Sequence, residues 1–469
     1  MKFWMKAAVA TAALMLPAAA NAQAPRADQQ AFRGLYKEMV EIDSSQPNGS
    51  CTAVAQAMSA RLKAAGFADA DLNVIAHPDH PKEGNLVAVL HGTDAKAKPI
   101  LLLAHIDVVA AKREDWTRDP FTLIEENGWF YGRGASDDKA QAAIWTDSLI
   151  RMKQEGFKPK RDIKMALTCG EENGAYNGIS HLIAQYRPLI DAGFALNEGA
   201  GGLLDANDKP VSLEIQSGEK IYQDFQLVST NPGGHSSRPV KDNAIYHLSA
   251  ALSAIGAYEF PIRFNDTTRG YFTRMAPLVD AKAGAAMKAL VADPTNADAL
   301  AEVTKDPMWN SMLRTTCVAT LVNAGHATNA LPQRATANVN CRILPGTQVE
   351  EVRKTLEQVV GDPKVSVAVN GPISPVGPAP VLTPEMMKPL EREAAKLWPN
   401  VPIVPIMQTG ATDGKYLIAA GIPTYGVEGL FTSSDGDGIH GLNERVRVKS
   451  LYDARDFLYA LVKDYAVSK

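Results

Sequence analysis

The chain has 469 residues, 46% of them hydrophobic and 21% charged, with a formal net charge of -4. That length exceeds what one hydrophobic core usually serves and implies two domains, while the composition is that of a folded globular chain. The weakly acidic balance speaks against a nucleic-acid partner, and no internal stretch reaches the roughly 18 uninterrupted apolar residues of a membrane span.

Residues 1–6 carry two lysines, residues 7–20 are apolar and alanine-rich, and Ala20-Asn21-Ala22 forms a small-x-small cleavage pattern before Gln23. This predicts a signal peptide over 1–22, cleaved after Ala22, rather than a membrane anchor, for which the apolar run is short. The mature chain is then expected to be periplasmic or secreted, with no membrane span. That compartment permits disulfides. Cys51, Cys169, Cys317 and Cys341 are too scattered for a disulfide framework; they are expected mainly as buried thiols, with one bridge left open.

Helical periodicity marks residues 29–42 and 52–65, the second closed by Gly66. Residues 72–76, 86–90 and 100–104 read as strands, 139–154 as a helix, 163–168 as a strand, 179–186 as a helix and 194–196 as a short buried strand. Alternating strands and helices predict an α/β fold, a mostly parallel sheet with helices on both faces. From about Val211 the pattern changes. A half-exposed strand at 221–229 and further strands at 317–322, 335–343 and 365–369, with helices at 244–255 and 349–360, predict an inserted α+β unit. The α/β pattern resumes after the Pro-rich stretch 371–380 with a helix at 385–397, a strand at 403–407, a helix at 413–420, a strand at 424–427 and a final helix at 451–467. The expected division is therefore 23–215 and 373–469 for the first domain and 216–372 for the insert. Residues 264–312 look helical and carry no chemistry that the sequence reveals.

The polar residues cluster at strand ends. The apolar run 100–104 closes in His105-Ile106-Asp107, and alternate residues on a strand point the same way. In open α/β sheets the carboxyl ends of the strands are where ligands bind. Asp137 and Asp138 sit in a Gly/Ala/Ser loop before a helix, Glu171 and Glu172 follow the 163–168 strand, Glu198 follows the 194–196 strand, and His440 lies in a Gly-rich loop. Each alone has an ordinary explanation, such as a helix N-cap or a solvated loop charge. Together they supply imidazole nitrogen and carboxylate oxygen, the donors that zinc takes at catalytic sites, and a bridging carboxylate is what two ions about 3.5–4 Å apart require.

The stretches H-I-D-V-V, Y-G-R-G-A-S-D-D-K, G-E-E-N, N-E-G, G-G-H-S-S-R-P, T-N-A-L-P, C-R-I-L-P-G, G-A-T-D-G-K-Y-L and I-H-G-L-N-E occur in this order. With them the sequence resembles the co-catalytic zinc exopeptidase family of aminoacylase, carnosinase, glutamate carboxypeptidase and acetylornithine deacetylase. The resemblance implies two zinc ions per subunit, with cobalt or manganese as alternatives. His105 and Glu198 would hold one ion, Glu172 and His440 the other, and Asp137 would bridge them. Asp107 would orient His105, and Glu171 would act as general base. The peptide bond after Asp137 is expected to be cis, as in relatives. The insert would be a lid and dimerisation domain. It would bring His235, often from a neighbouring subunit, and Asn329 to the oxyanion, and Arg342 to a substrate carboxylate. Gly410, Ala411 and Thr412 would offer backbone groups to the substrate terminus. Lys415 stands where many relatives have Arg, Asn197 where Asp is common before the ligand, Asn340 where Asp precedes the Arg342 position, and Ala140 where Gly is usual.

The expected activity is hydrolysis of the amide bond of small peptides next to a free carboxylate, by a homodimer. The alternatives are an N-acyl amino acid amidohydrolase and, in another class, a non-catalytic peptide-binding protein.

Overall fold

The computed structural model describes residues 26–172, 176–433 and 435–468. The expected signal peptide lies outside them. Ten strands form the larger sheet. Its centre is parallel: Ile100–His105 lies between Ile163–Thr168 and Phe194–Asn197, and Thr424–Gly426 continues in the same direction beyond. Leu72–His77 and His80–Leu90 extend one side in antiparallel register. On the other side Pro210–Glu219 pairs in parallel with Ile403–Gln408. The Ile100–His105 and Ile163–Thr168 strands are buried throughout, as runs without polar alternation require. Helices Lys139–Gln154 and Val448–Val467 join the same core as Ile100, Leu102 and Ala104, whereas Leu101 and Leu103 pack with Ile179 and Leu182 on the opposite face. Both faces of the sheet are therefore covered, and only the strand ends are open for chemistry. Local signals hold the helix ends: Ser50 caps Cys51–Ala64 by accepting from the Ala53 N–H, and Gly361 closes Val349–Val360 at a φ of 59°.

The second sheet is antiparallel, in the order Thr316–Ala324, Arg334–Ile343, Ile221–Thr230, Val365–Asn370. Helices Ala244–Ala257 and Val349–Val360 bury one face of it through Leu248, Val352 and Leu356 against Phe225, Leu227 and Val339.

One boundary and the packing of one stretch differ from expectation. Residue 216 falls inside the Pro210–Glu219 strand, which belongs wholly to the large sheet; the chain passes to the second sheet at Lys220. The 264–312 region forms four helices, from Asp266–Met275 to Pro307–Leu313. Their apolar residues Tyr271, Phe272, Met287 and Leu290 pack with Val404, Ile406 and Met407 of the large sheet, so this stretch supports the first domain although it lies within the insert's sequence.

The cysteines also differ from expectation. Cys51 is bonded to Cys169 and Cys317 to Cys341, and no described cysteine is free. Both bridges join residues that only the folded sheets bring together. No described helix is long and apolar enough to cross a membrane.

Candidate metal centre

His105 is the last residue of the central Ile100–His105 strand and is 2% exposed. Its Nδ1 lies 3.0 Å from the carbonyl oxygen of Asp107, which assigns the proton to Nδ1 and leaves Nε2 as the free donor atom. That Nε2 is 2.9 Å from Asp137 Oδ1 and 3.8 Å from Glu198 Oε1. On the other side His440 Nε2 is 3.1 Å from Asp137 Oδ2 and 3.0 Å from Glu172 Oε1. The two oxygens of one carboxylate thus face two different imidazoles, and each imidazole has its own glutamate. In each triad, His105-Asp137-Glu198 and Asp137-Glu172-His440, the donor atoms lie within 4.8 Å of one another. Two histidine nitrogens and three carboxylates converging in this way fit two borderline divalent cations sharing Asp137. Cys51, Asp107 and Cys169 also approach one another, but both sulfurs are committed to the disulfide.

The charges press on one another. Burial pushes Glu198 well above the usual carboxylate range, and Glu172 upward with it. Burial works against a charged His105 ring, yet Glu198 and Asp137 outweigh it and raise that ring well above its ordinary value. Hydrogen bonds to Asp137 raise His440 to about 9.

The loops are fixed by groups behind the cluster. The Asp107 carboxylate is fully buried and accepts the backbone N–H groups of Glu171 (3.3 Å) and Glu172 (3.0 Å). Asp107 was expected to orient His105; it does so through its backbone carbonyl, while its side chain holds the loop that carries both glutamates. Its Oδ1 is 3.7 Å from His105 Nδ1. The Asp137–Asp138 peptide bond is cis, as expected.

Glu444, 1% exposed, accepts from the backbone N–H groups of Gly134, Ser136 and Asp137 and from Arg133 Nη1. Asp413 accepts from Thr168 Oγ1 at 2.9 Å and from Asn177 Nδ2 at 2.5 Å. Neither residue was singled out from the sequence, although Glu444 closes the I-H-G-L-N-E stretch and Asp413 lies in G-A-T-D-G-K. Both are acidic residues inside quoted stretches, and that was the available signal.

Glu171 lies beside the cluster, and burial pushes its carboxyl up to about 8; His105 opposes this shift, while Asp413, Glu172 and Asp107 add to it. A cavity of about 310 Å³ opens on the Glu198 side, lined by Asp137, Glu198, Gly199 and Gln408 among others.

Of the other expected site residues, His235, Asn329 and Arg342 make their contacts away from the cluster. His235 and Asn329 are exposed neighbours: the Ser236 N–H donates to the Asn329 carbonyl, and His235 Nδ1 accepts from the Ser237 N–H. Arg342 stacks on Tyr222 in the second sheet, 4.8 Å from the ring centre. Among the described residues no hydrogen bond or ion pair joins these three to His105, Asp137, Glu172, Glu198 or His440. Thr412 donates its N–H and its hydroxyl to the buried Glu219 carboxylate and accepts from Asn197 Nδ2, which ties the Gly410-Ala411-Thr412 turn to the residue before Glu198.

The sequence profile of Peptidase family M20/M25/M40 matches residues 101–464, and the chain belongs to that family. It is 28% identical over 401 residues to the N-fatty-acyl-amino acid synthase/hydrolase PM20D1 of Mus musculus, covering 84% of this chain and 79% of that one. Among solved structures, an M20 family metallo-carboxypeptidase from Sulfolobus solfataricus superposes with a TM-score of 0.69 at 19% identity, covering 93% of this chain and 99% of that one. A dinuclear metal-binding M20 peptidase from Bacillus subtilis superposes with a TM-score of 0.61 at 13% identity, covering 94% and 99%.

Proposed function

We propose that this family member is an exported, homodimeric dinuclear zinc peptidase that hydrolyses the amide bond of small peptides next to a free carboxylate. The observation that carries this reading is the position of Asp137 between two histidines, each with its own glutamate. His105 and Glu198 would hold one ion, Glu172 and His440 the other, and Asp137 would bridge them. Bound there, two divalent cations would polarise the scissile carbonyl and acidify the attacking water. Zinc suits the mixed imidazole and carboxylate donors, and cobalt or manganese would also be accepted.

Glu171 takes the proton from the attacking water and returns it to the leaving amine nitrogen. Its carboxyl is raised to about 8 by burial, and cations alongside would bring it down toward the range of an efficient neutral-pH base. Asp107 keeps that carboxylate in place by holding the loop backbone. His235 and Asn329 would donate to the oxyanion. Neither bonds to a proposed ligand among the described residues, so this role calls for delivery from a partner subunit or by movement of the second sheet. Arg342 and the Gly410-Ala411-Thr412 turn would take the substrate's free carboxylate.

The edge strand Thr316–Ala324 exposes Val318, Leu321 and Val322, which supports a dimer formed along that edge. The two disulfides support an oxidising compartment. Similarity to the mouse N-fatty-acyl-amino acid synthase/hydrolase favours the second reading, an N-acyl amino acid amidohydrolase. The test is to strip the chain with a chelator, reload it with zinc, and compare dipeptides with N-acyl amino acids. Faster turnover of dipeptides is expected. Hydrolysis of acyl amino acids alone moves the assignment to the second reading. Hydrolysis of neither, with fewer than two ions bound, leaves a peptide-binding protein.

A further inference from the structure

We infer that the Cys51–Cys169 disulfide positions the loop carrying Glu171, so that full turnover requires the oxidised chain. The inference rests on the role of Glu171 proposed above. Cys169 follows the Ile163–Thr168 strand and is separated from Glu171 by Gly170 alone. One intervening residue spans at most about 7 Å of chain, so the position of Cys169 limits where Glu171 can lie. Cys51 is the first residue of the Cys51–Ala64 helix, a rigid element anchored in the main core by Val54, Met58 and Leu62. The bridge therefore fastens the loop to a helix 118 residues away in sequence, and both cysteines are fully buried.

The loop has two further ties at this point. The Cys169 N–H donates to Asn85 Oδ1 at 3.0 Å, and its carbonyl accepts from the Gly178 N–H at 2.7 Å. The Asp107 carboxylate, which holds the Glu171 and Glu172 amides, lies within 4.8 Å of both sulfurs. The disulfide and Asp107 thus grip consecutive parts of the same short loop. Gly170 at a φ of +90° makes the turn between them, and a Cβ there would sit 1.7 Å from the Tyr176 carbonyl oxygen. Residues 169–172 are closely held, and the disulfide is the one cross-chain tie among them that thermal fluctuation cannot open.

The second bridge provides the contrast. Cys317 and Cys341 are directly paired on adjacent strands of the second sheet, where the backbone ladder already sets their separation. Its loss removes a redundant link. Loss of Cys51–Cys169 removes a link that no ladder replaces. Reduction by a dithiol delivers two electrons and two protons, breaks the S–S bond to give two thiols, and leaves the reagent as its cyclic disulfide. The Asp107 bonds then hold the loop without covalent support, so the Glu171 and Glu172 amides open more often and Glu171 is placed less precisely.

The experiment compares C51A/C169A, the volume-conserving C51V/C169A and the control C317A/C341A in the full chain loaded with zinc. It measures kcat, KM, ions per subunit, and hydrogen exchange at the Glu171 and Glu172 amides. In both Cys51 variants kcat should fall about tenfold or more while KM and metal content stay near wild type. The two amides should exchange faster in both. The control should keep kcat and loop exchange. Unchanged kcat and unchanged exchange in folded C51V/C169A would overturn the inference. If neither variant folds, wild type is reduced natively and the two thiols are confirmed by titration; retained kcat then overturns it. Should wild type hydrolyse no amide, the proposed activity fails, and the exchange measurement still decides whether the bridge fixes the loop.

Discussion

The buried Asp107 carboxylate accepts the backbone N–H of Glu172 at 3.0 Å, so a residue after one strand end sets the position of the His440-facing glutamate after the next. The same carboxylate holds the Glu171 amide, and the Asp107 carbonyl orients His105. Asp107→Ala removes the loop contacts and spares the carbonyl. We expect kcat to fall roughly 10- to 100-fold, with two ions still bound per subunit by elemental analysis. Loss of one whole ion would show that the side chain acts on metal binding instead.

Glu171→Gln keeps the shape of the site and removes the proton acceptor. Turnover should drop by roughly 10²–10⁴ while both ions and KM are retained. Near-normal turnover with the metal intact would remove Glu171 from the mechanism.

Glu444 accepts from three backbone amides and from Arg133 while almost fully buried. Glu444→Gln puts an amide nitrogen against these donors and leaves Arg133 without its charge partner. The chain should lose about 3–5 kcal/mol of stability in denaturant unfolding, and metal affinity should weaken roughly 10- to 100-fold because Asp137 sits on the loosened loop. Unchanged zinc affinity in a folded variant would argue that the Asp137 loop holds itself.

His247, on the Ala244–Ala257 helix, bridges Asp362 and Asp242, and these hydrogen bonds raise its pKa; Lys364 opposes the shift. A raised value in the folded chain stabilises most below the unfolded value of about 6.5, and the benefit is lost as pH rises through the folded value. The Tm difference between wild type and His247→Asn should therefore be larger at pH 6 than at pH 9. Because the ring is partly exposed the effect should stay below about 1 kcal/mol. A difference that grows with pH would mean that the ring is neutral in the folded chain.

The sequence alone determined most of the elements and marked the His, Asp and Glu residues at the strand ends. Short apolar runs such as 100–104, bounded by turn residues, read as strands buried on both faces, and a His, Asp or Glu at the end of such a run is carried to the open end of the sheet. Periodicity and strand ends are local properties, legible within a dozen residues. What needed the tertiary structure was every relationship across long separations. Cys51 meets Cys169 and Glu444 meets Asp137 because the strand order brings them together, and no local pattern encodes that order. The helices at 264–312 support the large sheet for the same reason: their apolar faces do not specify which sheet they cover. Asp107 shows both levels in one residue. Its alternation with His105 put it at the site, and only the folded loop showed that its backbone holds the histidine while its side chain holds the glutamates.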